Sequence, residues 1–360
     1  TKDPGDEFEA KVKAGYGNES SMRGQASVSG PIGDTLGFRA SVNYYETDGF
    51  LDNVFLDEKA DPVEDLSARL RFIWEPSDSF SADLRFAMSD LSTKALYFVI
   101  PRDDEANPFS TFFTAPDANN VSEQIQLDNP GINDRDLFNA SLKLDFGVGK
   151  GTLTSVSAFN TTEEILTGDA FDFRPAANSI FMALFGTDLN QSQFLDIETY
   201  SQEIRYTSST EGKFRWIAGA YFVHTDRFIS TGNNFDTGGG VIPIYREPRL
   251  TGPNPSFSFL ADEQDNDAWA VFANATFELS DKVELDAAIR YDEDKRENTT
   301  VTPEAFLPLG TPPGSSGQVR THTWSEPQPK ITLRYEPTDT TTFYGGYSRG
   351  FRSGGFNQTG

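Results

Sequence analysis

Apolar and polar residues alternate one by one through most of this chain. Glu7-Phe8-Glu9-Ala10-Lys11-Val12-Lys13-Ala14 sets the pattern, with small or apolar side chains at every second place and charges between them. Leu36, Phe38, Ala40, Val42 and Tyr44 are interleaved with Arg39, Ser41 and Asn43. The rule repeats over Leu66–Trp74, Phe80–Met88, Phe138–Phe146, Trp269–Leu279 and Val283–Tyr291. A period of two is that of an extended strand with one apolar and one wet face. About 13 such segments are predicted, most of them about 9–11 residues long, which is the span of a strand tilted across a bilayer.

The connections carry a second rhythm. Tight links are predicted at Gly30–Asp34, Glu75–Ser79, Gly147–Gly151, Ser208–Lys213, Ser280–Lys282 and Glu336–Thr340. Long polar links fall between them, roughly at Glu46–Glu64, Ser89–Asp134, Thr161–Phe194, Thr225–Asn266 and Asp292–His322. Asn18–Ser21 is a short exception among the long class. An antiparallel barrel in a bacterial outer membrane has brief periplasmic turns and long external loops. A soluble sandwich has no need of that asymmetry.

Side-chain chemistry fits the same picture. Aromatics gather near strand ends, among them Tyr44, Trp74, Phe80, Phe146, Trp216, Phe277 and Tyr291. Girdles at the two lipid–water boundaries place them there. Arg39, Arg69, Arg71, Arg85, Lys143, Arg205, Arg290 and Arg334 all fall on the non-apolar side of their strands. So many cations cannot be buried unpaired. That face is read as lining a wet or plugged lumen, where Asp83, Asp145, Glu203 and Asp286 can pair with them.

Composition closes off other classes. The chain has 360 residues, no Cys, 2 His and a formal charge of −25. Mean hydropathy is −0.48, and no apolar run nears the roughly 20 residues of a membrane helix. Without Cys there are no disulfides, zinc–thiolate sites or thiol nucleophiles. The acidic balance argues against nucleic acid, whose binding rests on a basic surface. Gly346-Tyr347-Ser348-Arg349-Gly350 has the spacing of a nucleophile elbow. Both histidines, His224 and His322, precede the serine, against that motif's order, so no enzyme is expected. Gly147-Val148-Gly149-Lys150-Gly151 lacks the pattern of a phosphate loop and reads as a hairpin turn. Acid clusters at Arg102–Glu105, Asp262–Asp267 and Asp292–Asp294 lack the calcium-loop pattern and read as solvated loops. His224 and His322 are placed near strand–loop junctions as ordinary surface or lumen residues. No metal site and no cofactor are expected.

One stretch carries more. Tyr344-Gly345-Gly346-Tyr347-Ser348-Arg349-Gly350-Phe351-Arg352-Ser353-Gly354-Gly355-Phe356-Asn357 resembles a hallmark of the TonB-dependent outer-membrane receptors. Ser201–Arg205 and Trp216–Phe222 are similar to that family's strands around a periplasmic turn. Gly30–Asp34, Phe38–Ser41 and Asp48–Phe50 resemble its first barrel hairpin. Thr1-Lys2-Asp3-Pro4 is similar to the last residues of its plug domain.

The resemblance implies an all-β fold, a transmembrane antiparallel β-barrel with about 13 of an expected 22 strands present. Residues 1–4 are then the end of the plug linker, and residues 5–360 a partial barrel. The plug and its TonB-contacting box would precede Thr1. The implied function is TonB-energised uptake of a scarce solute, most often a ferric siderophore, across the outer membrane of a Gram-negative bacterium. A passive outer-membrane channel and a soluble secreted carbohydrate-binding β-domain are the alternatives. Implied partners are TonB, the small ligand, and outer-membrane lipid and lipopolysaccharide. Tyr97, Phe98, Arg102, Phe109, Phe112 and Phe113 are expected to contact ligand, because loops on rigid scaffolds carry recognition. Arg39, Arg69, Arg85, Arg205 and Arg290 are expected to face the lumen or plug.

Overall fold

The computed structural model describes residues 2–94, 127–169, 180–237, 242–307 and 316–356. Thirteen of its strands form one antiparallel sheet in chain order. They are β1 (Glu9–Tyr16), β2 (Met22–Ile32), β3 (Leu36–Thr47), β6 (Val63–Ser77), β7 (Phe80–Thr93), β8 (Ile132–Val148), β9 (Gly151–Asp169), β10 (Asp188–Thr207), β11 (Phe214–Asp236), β12 (Ser256–Ser280), β13 (Val283–Thr300), β14 (Val319–Thr338) and β15 (Thr341–Ser348). Between β3 and β6, β4 (Asp52–Asn53) and β5 (Glu58–Lys59) make a separate small ribbon. A short helix, α1 (Ile180–Phe185), precedes β10. Among the described residues β1 pairs only with β2 and β15 only with β14, so the sheet is not closed.

Each strand is held by the pattern that predicted it. Ala40, Leu70 and Phe86 meet in register across β3, β6 and β7, as do Arg39, Arg71 and Arg85. One face is therefore continuous apolar surface and the other continuous polar surface. Val42, Trp74, Met88, Phe138, Val271, Ile289 and Ile331 are all exposed on the first. In water such a surface would be an aggregation liability; in hydrocarbon it is the required exterior.

Two aromatic rows bound this belt. Near the tight turns, Trp74 and Phe80 stack edge-on at 5.5 Å, Phe80 and Phe146 lie 5.0 Å apart, and Phe214 and Phe277 4.7 Å apart. At the other border Trp269 and Tyr291 lie 5.5 Å apart, and Phe138 and Phe159 6.5 Å apart. From Phe277 to Trp269 is roughly 27 Å of strand, a band of about 20 Å at a tilt near 40°. The tight turn after β8 uses Gly149 at φ +65°, a left-handed conformation that glycine adopts without a side-chain clash.

The strands depart from expectation in length. β8 to β14 run from 17 to 25 residues, where about 9–11 suffice to cross. At 25 residues, β12 spans roughly 80 Å. The long links are correspondingly shorter than read from sequence. The acid clusters at Asp262–Asp267 and Asp292–Asp294 lie inside β12 and β13, not in loops. His224 and His322 are likewise interior to β11 and β14. Past the bilayer both faces of a strand are wet, so the apolar half of the alternation fades while the backbone ladder continues.

The packed core sits in this projecting part. Ile165, Phe194, Phe228, Ile244, Phe259 and Ala261 form one buried cluster, edged by Ile132, Val301 and Phe306. The largest fully buried side chains, including Asn190, Asn234, Asn254, Asn298 and Asp262, all lie there too. Within the bilayer a single layer of strands has lipid on one side and lumen on the other, so burial against protein is scarce.

Candidate functional site

The polar face of β1 to β8 is cationic although the chain as a whole is acidic. Arg71 is its centre. The Arg71 guanidinium donates from Nε and Nη2 to both oxygens of Asp83, at 3.0 and 2.8 Å. Its Nη1 reaches the Asp3 carboxylate and donates to the Lys2 carbonyl at 3.3 Å. Arg85 takes the other side of Asp83, from Nε at 3.0 Å and Nη2 at 2.6 Å. Forked pairs of this kind fix geometry as well as charge. Arg71 is buried; without both acids the position would be untenable.

The contacts also fix where residues 2–4 run. They lie along the polar face, not the lipid face. A Cβ on Gly37 would stand 2.9 Å from the Pro4 Cβ, so only glycine at this place lets the segment come so close. Beside it opens a recess of about 540 Å³ whose wall includes Lys2, Lys11, Lys13, Arg39 and Arg69. Arg39 donates to Ser29 Oγ at 3.5 Å. Among the described residues neither Arg39 nor Arg69 has a carboxylate within ion-pair distance. The second recess, about 190 Å³, is shared by Arg39, Arg69, Arg71 and Arg85.

Further along the sheet the same face is neutralised. Arg205 pairs with Glu203, Arg215 with Glu278 and with Glu284 at 2.8 Å, and Arg290 with Asp292 through two bonds of 2.7 Å. Arg334 lies 3.6 Å from both Glu284 and Glu336. The structure therefore places Arg39, Arg69, Arg85, Arg205 and Arg290 on one face but in two settings, unmatched and matched. Tyr97, Phe98, Arg102, Phe109, Phe112 and Phe113 lie outside the described residues. Residues 350–356 fold onto the polar face, where Arg296 donates to Ser353 Oγ at 2.6 Å and Phe356 stacks 6.1 Å from Trp324. The elbow-like Ser348 simply ends β15. His322 packs on Trp324 at 4.4 Å.

Two features were not singled out in the sequence. Arg71 carries the same alternation signal as its neighbours, and nothing in that signal marks it as the hub. On the lipid-side face, just beyond Trp269, His224 contacts Asp267 at 2.9 Å and Asp226 at 3.2 Å. Ligand atoms of His224, Asp226 and Asp265 lie within 4.8 Å of one another, close enough to hold a metal ion. Their spacing across two strands leaves no linear motif.

A single-layer antiparallel sheet with an apolar belt, paired aromatic rows and a charged reverse face is the wall of an outer-membrane β-barrel. The alternation of tight and long links orients it, turns to the periplasm and long links outward. The chain belongs to the TonB dependent receptor-like β-barrel family, whose model matches residues 74–360. It is similar in fold to the ferric yersiniabactin uptake receptor FyuA from Yersinia pestis, at 16% identity and a TM-score of 0.68, over 96% of this chain and 47% of that one. The siderophore receptor PiuA from Acinetobacter baumannii matches at 14% identity and a TM-score of 0.70, over 97% and 50%. The ferric-catecholate import receptor Fiu from E. coli K12, in its closed form, matches at 12% identity and 0.67, over 97% and 51%. At these identities the likeness establishes the fold. The chain spans about half the length of the structures it matches.

Proposed function

We propose that this chain is the first part of the barrel wall of a receptor that imports a ferric siderophore with energy delivered through TonB. The observation that carries this reading is the cationic recess on the polar face, with Arg39 and Arg69 unmatched and residues 2–4 docked beside it on Arg71. Unmatched cations in a confined wet space call for an anionic partner, and both a plug surface and many ferric chelates offer one. In this reading residues 1–4 end a plug linker, residues 5–360 are barrel, and the linker enters on the lumen side. Outer-membrane lipid and lipopolysaccharide cover the apolar belt. Tyr97, Phe98, Arg102, Phe109, Phe112 and Phe113 are the residues this reading assigns to chelate contact. The names of the structural neighbours, which include siderophore receptors, support the cargo class. No bond is made or broken: ligand shifts the plug only by binding its two states with different affinity.

The test is uptake of iron-55 from a panel of loaded siderophores by cells expressing the full-length protein, with and without TonB. Saturable uptake of one chelate that disappears without TonB is expected. Uptake that persists without TonB would make the protein a passive channel, and recovery of the protein without detergent would make it a soluble β-domain.

A further inference from the structure

Four carboxylates stand in one row across β10 to β13, just outside the aromatic border marked by Trp269. The ladder sets Glu198 opposite Asp226, Asp226 opposite Asp265 and Asp265 opposite Glu297. All four are exposed. Like charges directly opposite each other weaken a sheet, and no Lys or Arg interrupts this row. The four acids line a recess of about 490 Å³. The two arginines at its edge are committed elsewhere, Arg246 to Asp196 and Arg227 to Asp262. The recess therefore holds an excess of negative charge.

The neighbouring row brings in nitrogen. His224 lies opposite Asp267, with Nδ1 2.9 Å from that carboxylate and Nε2 3.2 Å from Asp226. Ligand atoms of His224, Asp226 and Asp265 fall within 4.8 Å of one another, and no other trio of acids or imidazoles among the described residues does so. Zinc takes imidazole nitrogen and carboxylate oxygen at about 2.0–2.2 Å, so two ligands of one tetrahedral ion stand roughly 3.3 Å apart. The separation of Nε2 from Asp226 already matches that edge. An ion-bound imidazole donates its other N–H to an acceptor, commonly a carboxylate, which fixes the tautomer. Asp267 stands where that acceptor is needed. A proton on Nε2 competes for the same gap, but it neutralises one charge where a divalent ion neutralises two. The nitrogen decides the class of ion, since calcium and magnesium keep to oxygen ligands.

We propose that His224 Nε2, Asp226 and Asp265 bind one divalent transition-metal ion of the zinc class on the outward face of β11 and β12. Asp267 is the positioning residue that holds the imidazole. Three protein ligands leave one position of a tetrahedral ion open to the exterior. The ion clamps β11 to β12 beyond the bilayer and relieves the repulsion within the acid row. The assignment uses neither the cargo nor TonB, so it stands or falls apart from the transport reading.

The experiment is calorimetric titration of ZnCl2 into the untagged full-length protein, purified in detergent and stripped with EDTA. A saturable zinc site is expected, far tighter for Zn²⁺ than for Ca²⁺ or Mg²⁺. His224→Gln and Asp265→Asn should each weaken it about tenfold or more, and Asp267→Asn about tenfold, the worth of an outer partner. Cobalt(II) in place of zinc should give a visible absorption band that His224→Gln abolishes and Asp267→Asn shifts. Glu263→Gln, at an exposed acid lining the same recess, should leave binding unchanged. None of these side chains is buried, and heat-dependent gel migration confirms that each variant is folded. Absence of a saturable zinc site would overturn the proposal. So would binding that His224→Gln and Asp265→Asn leave intact. A loss in Glu263→Gln as large as theirs would overturn it by making the ion a diffuse counter-ion. Calcium bound as tightly as zinc would overturn it by making the imidazole a bystander.

Discussion

The polar face of β1 to β8 and the outer ends of β9 to β11 are opposites in charge, burial and place. The first is a wet recess at membrane depth with surplus cations; the second is a drier region beyond the bilayer where Asp169 and Asp188 are buried. The net charge of −25 describes neither. Between them the polar face of β10 to β14 shows what a finished wall looks like, with Arg205, Arg215, Arg290 and Arg334 each matched to acids. Matched charge holds the scaffold in place. Unmatched charge in the recess is where the proposed function puts an anionic partner.

The contrast stands only if the apolar face meets lipid, and the largest effect should come from testing that. Leu70 lies mid-strand between Ala40 and Phe86 on the apolar face. Leu70→Arg in the full-length protein should cost about 2–4 kcal/mol of barrel stability, read from the denaturant midpoint in lipid vesicles. An unchanged midpoint would mean that this face is not in hydrocarbon, and the recess would lose its claim to be a lumen.

Next comes Arg71. Arg71→Leu leaves Asp83 to Arg85 alone and frees Asp3. The expected loss is about 2–3 kcal/mol, below the about 3–5 of a fully buried pair, because Asp83 keeps one partner and Asp3 is open to water. Proteolysis of the segment around Lys2 should become faster at the same time. A loss of stability with unaltered proteolysis would separate the hub from the anchoring of residues 2–4.

The rim core offers a smaller test. The Arg246 guanidinium lies 4.3 Å from the Phe228 ring and 5.8 Å from that of Phe194, and it pairs with Asp196. Arg246→Ala should cost about 0.5–1 kcal/mol, the worth of a cation–π contact at a partly exposed site. It should leave the membrane-depth recess untouched. A shift in linker proteolysis in this variant would show that the two regions are coupled and not separate.

How far each region could be read in advance follows from how each is encoded. The wall was legible because a period of two writes face and register into consecutive residues: Arg39, Arg69 and Arg85 declare their side at once. The strand ends were not. Glu263 and Asp265 continue β12 on the face that Trp269 and Val271 begin, but nothing apolar marks them, so sequence assigns them to a loop. Arg71 as hub is legible only once Asp83 and residues 2–3 are seen around it. Asp128, Asp169, Asp188 and Asp236 come from four places spread over about a hundred positions. Each contributes one or two polar residues at a strand end, where such residues are common, and only the ladder brings them together.

The last prediction has the least effect on stability and bears most directly on function. Arg39 and Arg69 line both recesses and have no carboxylate at ion-pair distance among the described residues. Arg69 is exposed, so replacing it breaks no buried network. The double variant Arg39→Gln with Arg69→Gln should therefore stay within about 0.5 kcal/mol of the parent. If these cations serve only to keep the wall soluble, uptake should be equally unaffected. If they face a plug or an anionic chelate, uptake should fall several-fold, and the salt dependence of the parent's uptake should flatten, because one long-range attraction has been removed. Equal uptake and equal salt dependence in a folded double variant would reduce the recess to scaffold, and the cationic half of the contrast would lose its function.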